Sequence, residues 1–319
     1  MSSRLAWKTK EEMTKINHFR AFTIMAAALA ASLLVLTCLL GEPARARTLQ
    51  ATLVGAGDIA SCSYDRDRAT ANVLANVPGT VFTLGDNVYP DGTAAQFRDC
   101  YDPTWGRYKK RTKPSVGNHE YHTPDASGYF GYFGARAGDR AKGYYSYKRG
   151  SWRVVVLNSN CSQVGGCGAH SPQGRWLDQI LTDYPARCTL AYFHHPLFAS
   201  TGAATTQVRP FWNILYRHNA DVILSGHAHY YERFAPQRPD GTRDRSRGIR
   251  ELVVGTGGAL PENPMTKPRA ANSVVDSEKA PGQTAYGVLR LRLYGGSYAW
   301  RFLPVAGESF TDSGSTACH

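Results

Sequence analysis

DVILSGHAHYYER, residues 221–233, is an apolar run followed by metal-ligand chemistry. Val222, Ile223 and Leu224 predict a strand near 221–225. Gly226-His227-Ala228-His229 follows, and in an extended segment it puts two imidazoles, separated by one residue, on the same side. The pattern recurs upstream. Gly57-Asp58, Gly85-Asp86-Asn87-Val88-Tyr89, Gly117-Asn118-His119-Glu120 and His194-His195-Pro196 each end an apolar stretch. Further strands are expected near 50–56, 80–84, 153–158, 188–193, 251–255, 286–293 and 298–303. Between several of them lie helix candidates. Ser171-Pro172 reads as an N-cap and first-turn pair ahead of an apolar face of Trp176, Leu177, Ile180 and Leu181, and residues 208–218 give another face with Phe211, Trp212, Leu215 and Tyr216. Strands alternating with helices predict an α/β sheet, with the last two strands an antiparallel hairpin on its flank. Residues 236–248 and 261–282, rich in Pro, Arg, Asp and Gly, read as surface loops.

Asp58, Asp86, His194 and His227 follow predicted strands within a few residues, at the carboxyl edge where open α/β sheets bind ligands. Two carboxylates, a phenol, an amide and three imidazoles are hard and borderline donors that suit a pair of di- or trivalent cations, and such a pair serves phosphoester hydrolysis. Taken singly, each cluster has a bland reading, Asp58 as a turn residue most of all. Their common placement at strand ends is what argues for one site.

GD, GDxxY, GNHE, HxP and GHxHxYER in this order resemble the calcineurin-like metallophosphoesterases, and within them the purple acid phosphatase branch. The resemblance runs over residues 57–233 and on through Gly255-Thr256-Gly257-Gly258 to the closing strands. It implies a four-layer α/β/β/α sandwich of two mixed sheets. The broader superfamily begins with Asp-x-His, but here Ala60 stands at the histidine position and Tyr89 supplies the donor. A phenolate suits a trivalent ion, so the resemblance implies Fe(III) held by Asp58, Asp86, Tyr89 and His229. A second ion, Zn, Mn or Fe(II), would share Asp86 and take Asn118, His194 and His227. Hydroxide on the metals would attack phosphorus, with His119 stabilising the transition state or protonating the leaving oxygen. Glu120 either orients His119 or is a loop carboxylate paired with a nearby cation. His195 is expected in the cleft wall. Plant members carry a further histidine pair downstream, whereas Ser200 to Gln207 contains none. The expected function is a phosphomonoesterase, with a phosphodiesterase or nucleotide hydrolase, or a non-catalytic metal- or phosphate-binding module, as alternatives.

The first 46 of the 319 residues read apart from this domain. Basic residues from Arg4 to Arg20, an apolar run over 21–40 and Ala44-Arg45-Ala46 make a signal peptide cut before Arg47, or an uncleaved membrane anchor. Residues 47–319 would form the catalytic domain of an exported protein. The net charge of +12 favours anionic partners such as phosphoesters, but no nucleic-acid motif or dense basic run accompanies it. Outside Cys38 there are six cysteines, an even number that predicts disulfides in an oxidising compartment. Cys161 and Cys167 are expected to bridge around Gly165-Gly166, and Cys318 to tether the tail. No Cys-x-x-Cys pair points to a zinc site.

Overall fold

The computed structural model describes residues 48–261 and 264–319. The expected signal or anchor, including residues 21–40, lies outside the described residues. In chain order the strands are β1 (Leu49–Ala56), β2 (Ala60–Ser61), β3 (Thr80–Thr83), β4 (Val88–Tyr89), β5 (Thr112–Lys113), β6 (Tyr145–Arg149), β7 (Trp152–Val156), β8 (Cys188–Tyr192), β9 (Val222–Ser225), β10 (Tyr231–Phe234), β11 (Arg250–Val254), β12 (Ser273–Asp276), β13 (Gly287–Tyr294), β14 (Ser297–Pro304) and β15 (Ser313–Ala317). One sheet has the order β15-β14-β13-β1-β3-β5 and another β12-β10-β11-β9-β8-β7-β6, while β2 and β4 form a small parallel pair. Both large sheets are mixed. β1-β3-β5 and β7-β8-β9-β11 run parallel, and every other neighbouring pair in the two sheets is antiparallel.

Alternation along the strands creates the layers. Val154 and Val156, Leu190 and Tyr192, and Val222 and Leu224 join one buried cluster with Leu53, Val81, Phe82, Leu289 and Leu291 of the other sheet. Their neighbours Val155, Ala191, Phe193 and Ile223 face away, onto Leu177, Leu181, Phe211, Trp212 and Leu215. Those residues belong to the helices Pro172–Asp183 and Arg209–Arg217. The helix Arg66–Ala75 covers β13 and β14 of the first sheet. The result is the expected α/β/β/α sandwich, and Ser171 caps its helix as predicted by accepting the Gly174 N–H at 3.0 Å.

All eight expected strands form, but the pattern missed several short ones. Ser273–Asp276 is the edge strand β12, which corrects the reading of 261–282 as loop throughout: its residues are part-exposed, so alternation leaves little trace. The final hairpin, β13 and β14, lies against β1, and the edge beyond it is taken by β15, a Ser/Gly-rich strand without apolar signal. Three disulfides join Cys62 to Cys100, Cys161 to Cys167 and Cys188 to Cys318. The second is the expected loop bridge, and the third tethers the tail through Cys318 as expected, with Cys188 as the partner that the sequence left open. The third crosses the sandwich, from the first residue of β8 to the residue after β15. Among the described residues no helix is long and apolar enough to cross a membrane.

Candidate metal centre

Three of the strands that lead to expected ligands, β1, β3 and β9, end in a sharp break. Asp58, Asp86 and His227 have φ of 59°, 45° and 66°, a region that residues other than Gly rarely enter and that costs about 1–3 kcal/mol at each position. The glycines beside them make room. A Cβ on Gly117 would stand 2.1 Å from Asp86 Oδ1, one on Gly85 2.5 Å from His194 Nδ1, and one on Gly226 2.7 Å from Asp58 Oδ2. His227 and His229 do not share one side of an extended segment, as the sequence suggested. Ala228 N–H bonds to Gly226 O at 2.8 Å and Tyr230 N–H to Ala228 O at 2.7 Å, so the chain turns twice and sends the two rings to different ends of the site.

The seven expected ligands all converge, in two sets. In one, Tyr89 Oη lies 3.1 Å from Asp58 Oδ1, 3.2 Å from Asp86 Oδ2 and 3.2 Å from His229 Nε2. In the other, His194 Nε2 lies 2.9 Å from Asn118 Oδ1, 3.1 Å from His227 Nδ1 and 3.2 Å from Asp86 Oδ2. Asp86 Oδ2 belongs to both. His119 stands at the rim with its Nε2 3.8 Å from that same oxygen and its ring 4.4 Å from that of Tyr89.

Asp58 and Asp86 are 0% and 1% exposed, and neither forms an ion pair with a Lys or Arg among the described residues. Buried carboxylates in that condition call for positive charge from elsewhere. The imidazoles register the demand. Burial works against a charged ring, yet the Asp86 carboxylate outweighs it and His194 is pushed up to about 9. For His229 the hydrogen bond and charge of Asp58 overcome burial to the same value. Burial and the neighbouring carboxylates drive the Tyr89 phenol well above its ordinary range, so only a strongly polarising cation would make it a phenolate. Oxygen-rich and anionic, with imidazoles on either side, the donor set fits two hard or borderline cations.

Main-chain carbonyls aim the rings. His194 Nδ1 donates to Leu84 O at 2.7 Å, His229 Nδ1 to Leu260 O at 2.5 Å and His119 Nδ1 to Pro90 O at 2.6 Å. Each bond turns Nε2 inward and fixes the tautomer. Glu120 takes neither role expected of it. It is wholly buried and accepts the backbone N–H groups of Asn87 and Gly117, each at 2.7 Å, and of Asp86 at 3.1 Å. It thereby holds the Asp86 loop against the Asn118 loop, a job with no sequence signature, since its partners are main-chain atoms. Gly255–Gly258 does the same for Asp58. Gly257 N–H bonds to Gly57 O and Ala259 N–H to Asp58 O, both at 2.9 Å, and a Cβ on Gly255 would meet Asp58 Oδ2 at 2.8 Å.

His122, for which the sequence offers no partner pattern, has its ring 4.7 Å from that of His119. His119 and His122 are three apart on one tight helical turn, His119–His122, which stacks such pairs. His195 lies in the cleft wall, its Nδ1 2.8 Å from Ser159 Oγ and its ring 4.5 Å from that of His227. The aromatic group after Gly117–Glu120 is packing: Tyr129, Phe130 and Phe133 are buried, Tyr132 stacks on Phe97 and Tyr144 lies on Trp176.

Residues 51–231, more than half the chain, match the family model for calcineurin-like phosphoesterases. The chain belongs to that family. Within it the chain falls in the purple acid phosphatase-like branch. It is 27% identical over 216 residues to the Fe(3+)-Zn(2+) purple acid phosphatase 12 of Arabidopsis thaliana, covering 56% of this chain and 42% of that one. It is 22% identical over 263 residues to purple acid phosphatase 15 of the same plant, covering 70% and 45%. It thus spans less than half the length of these curated relatives. The purple acid phosphatase from yellow lupin (Lupinus luteus) seeds superposes with a TM-score of 0.61 at 17% identity, over 85% of this chain and 54% of that one, a likeness of fold. The family setting gives Ala60 its meaning. Buried in β2 beside Val88 of β4, it stands where the wider calcineurin-like pattern has a histidine, and Tyr89 follows on the paired strand.

Proposed function

We propose that this protein is an exported, metal-dependent phosphomonoesterase with two metal ions in one centre. The reading rests on a single observation, the place of Asp86 Oδ2 in both donor sets. A carboxylate oxygen so placed suits a bridge between two cations. Asp58, Asp86, Tyr89 and His229 would hold one ion, for which the phenol favours Fe(III), and Asp86, Asn118, His194 and His227 would hold Zn, Mn or Fe(II). Bound there, such a pair supplies an activated water at neutral or acidic pH and neutralises the phosphoryl oxygens.

The chain's own part is position and proton handling. The inward Nε2 of His119 faces the space above Asp86 and is placed to donate to a phosphoryl or leaving-group oxygen, with Pro90 O fixing its opposite nitrogen. The strained, glycine-flanked loops hold the donors before substrate arrives. Three disulfides support an oxidising compartment.

The test is metal content combined with kinetics. Two equivalents of metal and turnover of an aryl phosphomonoester well above the matching diester are expected. A preference for the diester overturns the monoesterase assignment, and full metal loading without hydrolysis of either overturns the enzyme.

A further inference from the structure

Beside the metal centre, sharing Asn118 and His195 with it, opens a cavity of about 340 Å³. Its walls come from the segment Ser159–Gln163, from Thr205 and Gln207, and from Tyr121 and His122. None of these eleven lining residues is a Lys, Arg, Asp or Glu, although the chain as a whole carries a net +12. What faces the space is amide, hydroxyl and imidazole.

The wall is built rather than loose. Asn158, wholly buried, is gripped by Gln173, which accepts its backbone N–H and donates to its carbonyl, each at 2.8 Å. Asn158 Oδ1 in turn accepts both the backbone N–H and the side-chain NH₂ of Asn160 at 3.0 Å, which leaves Asn160 Oδ1 to accept from a ligand. The Cys161–Cys167 bridge closes the loop behind it. Opposite stands His195, anchored to Ser159. Tyr121 is the one phenol ring in the lining, and its oxygen accepts from Asn158 Nδ2 at 2.8 Å, which leaves its O–H to donate.

A second phosphate or a carboxylate on the leaving group would find no Lys or Arg here, and a purine or pyrimidine would find no stacked aromatic pair. Neutral donors and acceptors in close alternation match hydroxyl groups, each of which gives one hydrogen bond and takes two. We infer that the substrate's leaving group is a neutral, hydroxyl-rich moiety, a sugar or other polyol, seated against Asn160, Gln163, His195 and Gln207. This deepens the phosphomonoesterase reading and rests on it.

The experiment compares glucose 6-phosphate with hexyl phosphate, whose leaving alcohols are similarly reactive, in the wild-type protein and in the Asn160→Ala/Gln207→Ala variant, after the variant's fold is checked by circular dichroism. In parallel, calorimetric titration measures binding of the two corresponding phosphonates, which cannot be hydrolysed. The expected result is kcat/KM and affinity at least tenfold higher for the sugar ligand, and a loss of about tenfold in that ratio in the variant, as removal of two hydrogen bonds implies. A ratio below tenfold, or one that survives the double substitution, overturns the inference while leaving phosphomonoester hydrolysis intact. If aryl, hexyl and sugar phosphates all go unhydrolysed by metal-loaded protein, the proposed function fails instead, and the phosphonate preference still decides the chemistry of the pocket.

Discussion

The Tyr89 phenol donates to Asp58 Oδ1 at 3.1 Å where both side chains are buried, so its own surroundings keep it protonated. Deprotonation there has to be driven by a cation, which makes the residue a reporter of what is bound. Protein loaded with iron is expected to show a visible absorption band that Tyr89→Phe abolishes, with the far-ultraviolet circular dichroism unchanged. A band that persists in the variant removes Tyr89 from the first metal.

Gly117 has among the tightest of the glycine contacts at the centre. Its added Cβ would lie 2.1 Å from Asp86 Oδ1 and 2.2 Å from Asp86 N, and the backbone atom has nowhere to move while Glu120 holds the loop. Gly117→Ala is expected to lower stability by about 1–3 kcal/mol and to bind less than one equivalent of metal, measured by urea unfolding and by elemental analysis.

His119 faces the site without belonging to either donor set. His119→Ala should therefore keep its metal and lose about a hundredfold or more in kcat. Parallel loss of metal would instead make it a ligand.

Stability should also depend on pH through a group away from the centre. Glu251, wholly buried under the loop that follows His194-His195-Pro196, accepts from Ser225 Oγ at 3.0 Å and Phe198 N at 3.1 Å, and burial pushes it up to about 8. A carboxyl whose folded pKa is raised stabilises fully below its unfolded value, near 4.5, and that contribution fades as pH climbs through about 8. The wild-type protein should thus lose on the order of a few kcal/mol between pH 5 and pH 9 that Glu251→Gln does not lose. Equal slopes in urea melts of the two proteins across that range would show that Glu251 stays ionised.

The central strands, their order along the chain and the seven donors could be read from residues alone because apolar runs and Gly-flanked ligands leave local marks. What escaped the reading works through main-chain atoms or lies at edges. Glu120, the Gly255–Gly258 loop and the carbonyls of Leu84, Pro90 and Leu260 act on backbone from far along the chain, and no spacing announces them. β12 and β15 are edge strands whose exposed, polar residues carry no alternation. His122 carries no ligand pattern of its own, and only the helical turn His119–His122 brings its ring to that of His119.

The Cys188–Cys318 bridge ties the starting residue of β8 to the tail beyond β15, at the end of the sandwich away from His194, which follows the finish of β8. The two sheets are therefore riveted covalently at the heel, while at the toe they are joined by main-chain bonds such as Gly57 N–H to Val254 O at 2.9 Å and by the side chains gathered around Asp86. Stripping cations from the centre would slacken the toe while the heel stays fastened. Loss and recovery of metal are then expected to be felt at the toe, while the strand ladders and the covalent joint keep the heel in place.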